Sequence, residues 1–89
     1  MERTVMLILI GARKESAENV QHLLTGWGSL IKTRLGVHDD VLGECSHSGL
    51  IVLELVGPES KKDELMRMIS LIDGVNAKMI QLTLPADQS

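Results

Sequence analysis

Eighty-nine residues, 44% hydrophobic and 24% charged with a net charge of −3, suit one folded domain and argue against disorder. The nine Lys and Arg residues are scattered along the chain, so there is no basic footprint for direct nucleic-acid binding. The apolar runs VMLILI and LIVLELV are far too short to cross a bilayer.

Phe and Tyr are absent and Trp occurs once, so the core must be built from Leu, Ile, Val and five Met. The amino terminus lacks the length and cleavage pattern of a secretory signal. One Cys cannot form an internal disulfide, which sets a reducing cytoplasm as the expected location. The expectation is one domain over residues 1–89, with a core from about residue 4 to residue 84.

The first predicted strand runs from Thr4 to Ile10 and is nearly continuous in apolar residues. Gly11 follows it, where backbone can approach a ligand and the amides opening the next helix can meet an anion. The plainer reading of Gly11 is an ordinary turn. Arg13 to Trp27 carries Ala17, Val20, Leu23, Leu24 and Trp27, the spacing of one helical face, and Gly26 and Gly28 stop that helix. Leu30 to Val37 then alternates: Ile31, Thr33, Leu35 and Val37 point one way, Lys32, Arg34 and Gly36 the other, as in a half-exposed edge strand.

Leu50 to Val56 is a second apolar run, broken only by Glu54 and ended by Gly57 and Pro58. Ser60 and Asp63, three residues apart, predict a helix start. Leu65, Met68, Ile69 and Ile72 form that helix's buried stripe, and Gly74 suits a left-handed end. Lys78 to Leu84 alternates again, with Ile80, Leu82 and Leu84 opposite Met79, Gln81 and Thr83.

The order β-α-β-β-α-β predicts an α+β, ferredoxin-like sandwich: a four-stranded antiparallel sheet with two helices on one face. The first and third strands, apolar on both faces, belong at the centre, and the second and fourth at the edges. The uncovered sheet face then shows either Leu50, Val52 and Val56 or Ile51, Leu53 and Leu55, an apolar patch of the kind that marks an interaction surface. A homodimer or tetramer packed through that face is expected.

The connection between the second and third strands is long for a hairpin, which ordinarily turns in about 2–5 residues. It holds His38, Asp39, Asp40, Glu44, Cys45 and His47. Imidazole and thiolate suit a transition metal, zinc, nickel or iron, better than magnesium or calcium, which makes His38, Cys45 and His47 the candidate ligands. The competing reading is a polar turn that gathers His, Ser and Asp by default, with Cys45 as a small apolar anchor. His22 lies opposite the buried stripe of its helix, so only a neighbouring subunit could bring it to such a site.

Catalysis finds little support. Cys45 and His47 lack an orienting partner, and no nucleophile elbow, phosphate loop or dinucleotide fingerprint is present. RNA-reading ferredoxin-like sheets stack bases on exposed aromatics, and Trp27 falls on a buried stripe.

The runs LIKTRLGV, GLIVLELVG and LIDGVNAKMIQLTL resemble small ACT-like domains of the group called iron-only hydrogenase system regulators. The resemblance extends from Val5 to Leu84. Its most specific piece is Arg34-Leu35-Gly36-Val37, similar to that group's Arg-Met-Gly-hydrophobe signature, although His38 stands where the group has Pro. The resemblance implies a regulatory domain and puts Arg34 and Gly36 among the ligand or interface candidates. The layout also resembles the effector domain of the nickel-responsive repressor. That likeness sets Gly36 at the first position of a His-x-His pair, His38 at the second, and Cys45 near the family's cysteine ligand. The repressor's DNA-binding segment precedes this domain, and the first strand here begins almost at Met1, so DNA binding of that kind is not expected.

The sequence therefore leads to a non-enzymatic, oligomeric domain that senses a small molecule or a transition metal, with Gly11, Arg34, Gly36, His38, Cys45 and His47 as candidate residues. A pure protein-interaction module is the alternative.

Overall fold

The structure, a computed structural model, describes residues 1–11, 14–38 and 49–86. Its elements are β1 (Glu2–Ile10), α1 (Lys14–Gly26), a 3-10 turn (Gly28–Leu30), β2 (Ile31–His38), β3 (Gly49–Leu55), α2 (Glu59–Ser70) and β4 (Val75–Thr83). The strands form one four-stranded sheet in the order β2-β3-β1-β4, with every neighbouring pair antiparallel. This is the ferredoxin-like fold. The two strands apolar on both faces are the two central ones: one face of each packs under the helices, and the other forms the middle of the open side of the sheet.

Alternation along the central strands decides which side the helices take. Met6, Ile8, Ile10, Ile51, Leu53 and Leu55 are buried and cluster with Val20 and Leu24 of α1 and Leu65 and Ile69 of α2. Val75, Ala77 and Met79 of β4, with Ile31 and Trp27, pack around this core. Trp27, the chain's one aromatic, is therefore part of the packing beneath the helices. The core is aliphatic and thioether throughout, and each fully buried side chain contributes roughly 1.5–3 kcal/mol.

The ends of several elements differ from the sequence expectation. β1 starts at Glu2 and β4 at Val75, because the β1–β4 ladder runs without a break from Glu2↔Thr83 to Ile10↔Val75. Backbone pairing extended both strands beyond their apolar patterns. Leu30 belongs to the 3-10 turn, and β2 reaches His38. Helix α2 begins at Glu59 with no side-chain cap. Ser60 lies inside it, and the carbonyl of Pro58 accepts from the amides of Lys61 (3.1 Å) and Lys62 (3.2 Å). Proline sets the extended entry (φ −64°, ψ 140°) that a capping serine otherwise adopts.

Gly74 is left-handed, φ +78°, but it lies beyond the helix end, in the turn into β4. That turn is tied to the one after β1. The Gly11 amide donates to the Gly74 carbonyl (2.8 Å), and the Ser16 hydroxyl donates to the Asp73 carbonyl (2.6 Å).

Candidate functional site

The side of the sheet away from the helices carries an apolar surface. On β1 the residues between the buried ones are Val5, Leu7 and Leu9, and on β3 they are Leu50, Val52 and Glu54. Register aligns these into rows: Thr33, Glu54, Val5 and Ile80; then Leu35, Val52, Leu7 and Lys78; then Val37, Leu50, Leu9 and Asn76. Leu9 is 49% exposed, Leu35 56%, Ile80 45% and Leu82 59%. Of the two alternatives open in the sequence, the Leu50, Val52 and Val56 set is the uncovered one, since Ile51, Leu53 and Leu55 are buried. β1 and β4 widen it, so the patch crosses all four strands.

One ion pair crosses this face. Arg3 donates to Glu54 through Nε and Nη2, both at 2.6 Å. These hydrogen bonds hold the Glu54 carboxyl below its ordinary value; desolvation opposes them, and the positive charges of Arg3 and Lys32 add to the lowering. The same contact, through its hydrogen bond and the carboxylate charge, raises Arg3.

Strand β2 departs from simple alternation. Ile31 pairs with Leu55 and Thr33 with the adjacent Glu54, so Lys32 is the extra residue of a β-bulge. The bulge reverses the faces partway along the strand. Ile31 packs on the core, whereas Thr33 and Leu35 fall in open-face rows. The expectation that Ile31, Thr33 and Leu35 share a face is therefore corrected. Arg34 shares its row with buried Leu53 and donates through Nη2 to the Gln21 side-chain oxygen on α1. Its guanidinium is thus engaged on the helix side and is not displayed on the open face. Gly36 pairs with Ile51, and a Cβ built on it would meet nothing within 4 Å.

His38 pairs with Gly49, Gly49 with Ile10, and Ile10 with Val75. One row thus joins the end of β2 to the residue before Gly11. The sheet brings Gly11, Gly36 and His38 to the same end of the molecule, where the chain leaves for residues 39–48. Cys45 and His47 lie outside the described residues. At Gly11 the close approach is to backbone: an added Cβ would stand 3.3 Å from the Gly74 carbonyl oxygen. His22 lies on the exposed side of α1 and lines a groove of ≈ 470 Å³ between α1 and the end of α2. Among the described residues no group of three or more His, Cys, Asp or Glu is arranged to hold a metal, and no helix is long and apolar enough to cross a membrane.

Sequence reasoning did not find the Arg3–Glu54 pair, the Ser16 tie or the bulge. The lone charge inside the apolar run of β3 was the available signal for the first. The other two depend on partners distant in the chain or on the ladder itself.

No family model matches the sequence, nor does any curated protein. Solved structures do resemble the fold. An uncharacterized protein of Thermotoga maritima aligns with a TM-score of 0.80 and 23% identity, over 93% of this chain and 100% of that one. A formyltetrahydrofolate deformylase of Pseudomonas putida KT2440 aligns with a TM-score of 0.55 and 12% identity, over 93% of this chain but only 29% of that one. A dimeric ferredoxin-like protein from an uncultured marine organism aligns with a TM-score of 0.50 and 8% identity, over 93% and 94% of the two chains. At these identities the likeness is one of architecture, and it agrees with the strand order and pairing described above.

Proposed function

We propose that the chain is a small, non-enzymatic regulatory domain of the ACT-like kind, assembled as a homo-oligomer through its open sheet face and sensing a ligand at the β2–β3 end. The observation that carries this reading is the apolar surface crossing all four strands, with Leu9, Leu35, Ile80 and Leu82 each about half exposed or more. Contiguous patches of this type on a folded domain mark interaction sites, and two copies of one face can cover each other in a two-fold arrangement. The dimeric ferredoxin-like neighbour supports self-association.

The sensing part of the proposal rests on position. Gly36, His38 and Gly11 converge at one end of the sheet, and the polar segment 39–48 begins and ends there. A small molecule is the first candidate effector. A transition metal held by His38, Cys45 and His47 is the second, supported by the chemistry of that donor set; His47 is two residues along the chain from Gly49, the register partner of His38.

Sedimentation velocity tests the assembly. The wild-type chain should sediment as a dimer or tetramer at micromolar concentration, and the Leu9→Lys, Ile80→Lys double variant as a folded monomer. A monomeric wild type would refute the reading. A thermal-shift screen of amino acids, small metabolites and divalent metals then tests sensing. Silence throughout, with the oligomer intact, would leave a pure interaction module.

A further inference from the structure

The helix layer carries a second surface of interest. Between α1 and the last turn of α2 runs the ≈ 470 Å³ groove. Its apolar part is built by Leu23 of α1 with Met68, Leu71 and Ile72. Leu71 is 74% exposed, so it stands at the rim as an outward apolar knob. Among the described residues, the charged ones lining the groove are Glu15 and Asp73, and neither Lys nor Arg lines it. Among the described residues, no salt bridge joins Glu15 or Asp73 to a cation. The carboxyl end of α2 opens here with the negative end of its dipole, while the first turn of α1, which carries Glu15, brings the positive end of another.

We infer that this groove docks a short amphipathic helix of another protein, one that presents an apolar residue to Leu71 and Met68 and a Lys or Arg to Glu15 and Asp73. Three features select that occupant. Glu15 to Leu23 spans roughly 12 Å of helix axis, about two turns, which suits the helix-in-groove mode of recognition. A small ligand would be enclosed by its site and would leave so exposed a rim leucine uncovered, whereas a helix covers floor and rim together. Glu15 and Asp73, which form no salt bridge among the described residues, match a basic partner in charge. Because the groove lies on the helix layer, assembly through the sheet leaves it facing outward, so the oligomer would display it once per chain.

The test uses the full chain, isotopically labelled for NMR, and two synthetic peptides of about 14 residues, long enough for helix formation on contact. One repeats Leu and Lys at helical spacing, and the other has Glu in place of Lys. The Leu/Lys peptide should shift the amides of Asn19, Leu23 and Leu71 and bind at least about tenfold more tightly than the Leu/Glu peptide. Leu71→Ala, a change at an exposed position, should weaken it several-fold. Glu15→Lys with Asp73→Lys should reverse the preference. Glu18→Lys with Glu64→Lys, which alters net charge equally outside the groove, should not. The inference is overturned by shifts confined to Leu9 and Ile80 on the sheet, by equal binding of the two peptides, or by no binding at about 1 mM. Reversal by the control pair would also overturn it. A Leu71→Lys variant that sediments as a smaller oligomer would assign the groove to a second copy of this chain and would likewise overturn it.

Discussion

Arg3 grips Glu54 with two parallel hydrogen bonds of 2.6 Å across the β1–β3 boundary, on the face of the sheet it shares with Val5, Leu7, Leu9 and Val52. Bidentate guanidinium–carboxylate geometry is the strongest form of such a contact. Here it also places a fixed dipole beside an apolar patch. The pair stops the patch from being uniformly greasy and gives a docking copy an orientation to match.

The first prediction concerns pH. Glu54 is held below the ordinary glutamate value of 4.5 by its hydrogen bonds to Arg3. A carboxyl whose folded value lies below its unfolded one contributes stability that is complete above the unfolded value and is lost as pH falls through the folded value. Melting temperatures of wild type and Glu54→Gln should therefore differ most at neutral pH and converge as pH drops below about 4.5. A difference independent of pH from 7 down to about 3 would show that the pair does not act through its charge.

A second prediction addresses the tie between the two turns. Gly74 has φ +78°, and a Cβ there would stand 2.7 Å from the Ser16 hydroxyl oxygen. Gly74→Ala should destabilise the fold by about 1–3 kcal/mol through backbone strain and this clash. Ser16→Ala should cost about 1 kcal/mol for the hydrogen bond to Asp73. In the double variant the clash partner is gone, so the combined loss should be smaller than the sum. Strict additivity in urea unfolding would mean that the two residues do not meet as described.

Much of this architecture was legible because burial writes itself into composition. Met6, Ile8, Leu53 and Leu55 sit in runs apolar at successive positions, which only a central strand tolerates, and Val20, Leu24, Leu65 and Ile69 recur at helical spacing. The β2 faces were misread because a bulge at Lys32 shifts the alternation by one residue, and a bulge is a property of the ladder with β3. The buried Ser16 could not be foreseen, since its partner Asp73 is 57 residues away in sequence. Of the candidate site, residue types and the unusual length of the connection were visible. The convergence of Gly11, Gly36 and His38 at one sheet end follows from pairing that joins His38, Gly49, Ile10 and Val75.

Contrasting substitutions on the two faces of β1 and β3 form the third prediction. Leu53 is fully buried, and Leu53→Ala should cost about 2–5 kcal/mol at any protein concentration. Leu9 is half exposed, and Leu9→Ala should cost under about 1 kcal/mol in the isolated chain. If the open face is the assembly surface, the Leu9 effect should grow as protein concentration rises, because oligomer formation adds stability by mass action. Melting curves over a hundredfold concentration range separate the two behaviours. A Leu9→Ala effect that stays constant while the wild type associates would move the interface elsewhere.

The last prediction concerns His38, Cys45 and His47. A site of two imidazoles and one thiolate binds only when its ligands are deprotonated. Calorimetric affinity for nickel or zinc should therefore fall as pH is lowered and protons compete for the ligands. Cys45→Ser should weaken binding at least tenfold, because a hydroxyl replaces the thiolate that soft metals prefer. His38→Ala should do the same. Cobalt supplies an independent reading, because a thiolate ligand gives it a charge-transfer absorption that the Cys45→Ser variant would lack. Wild-type affinity in both Cys45→Ser and His38→Ala would place any bound metal elsewhere, and absence of heat with either metal would leave sensing to a small molecule.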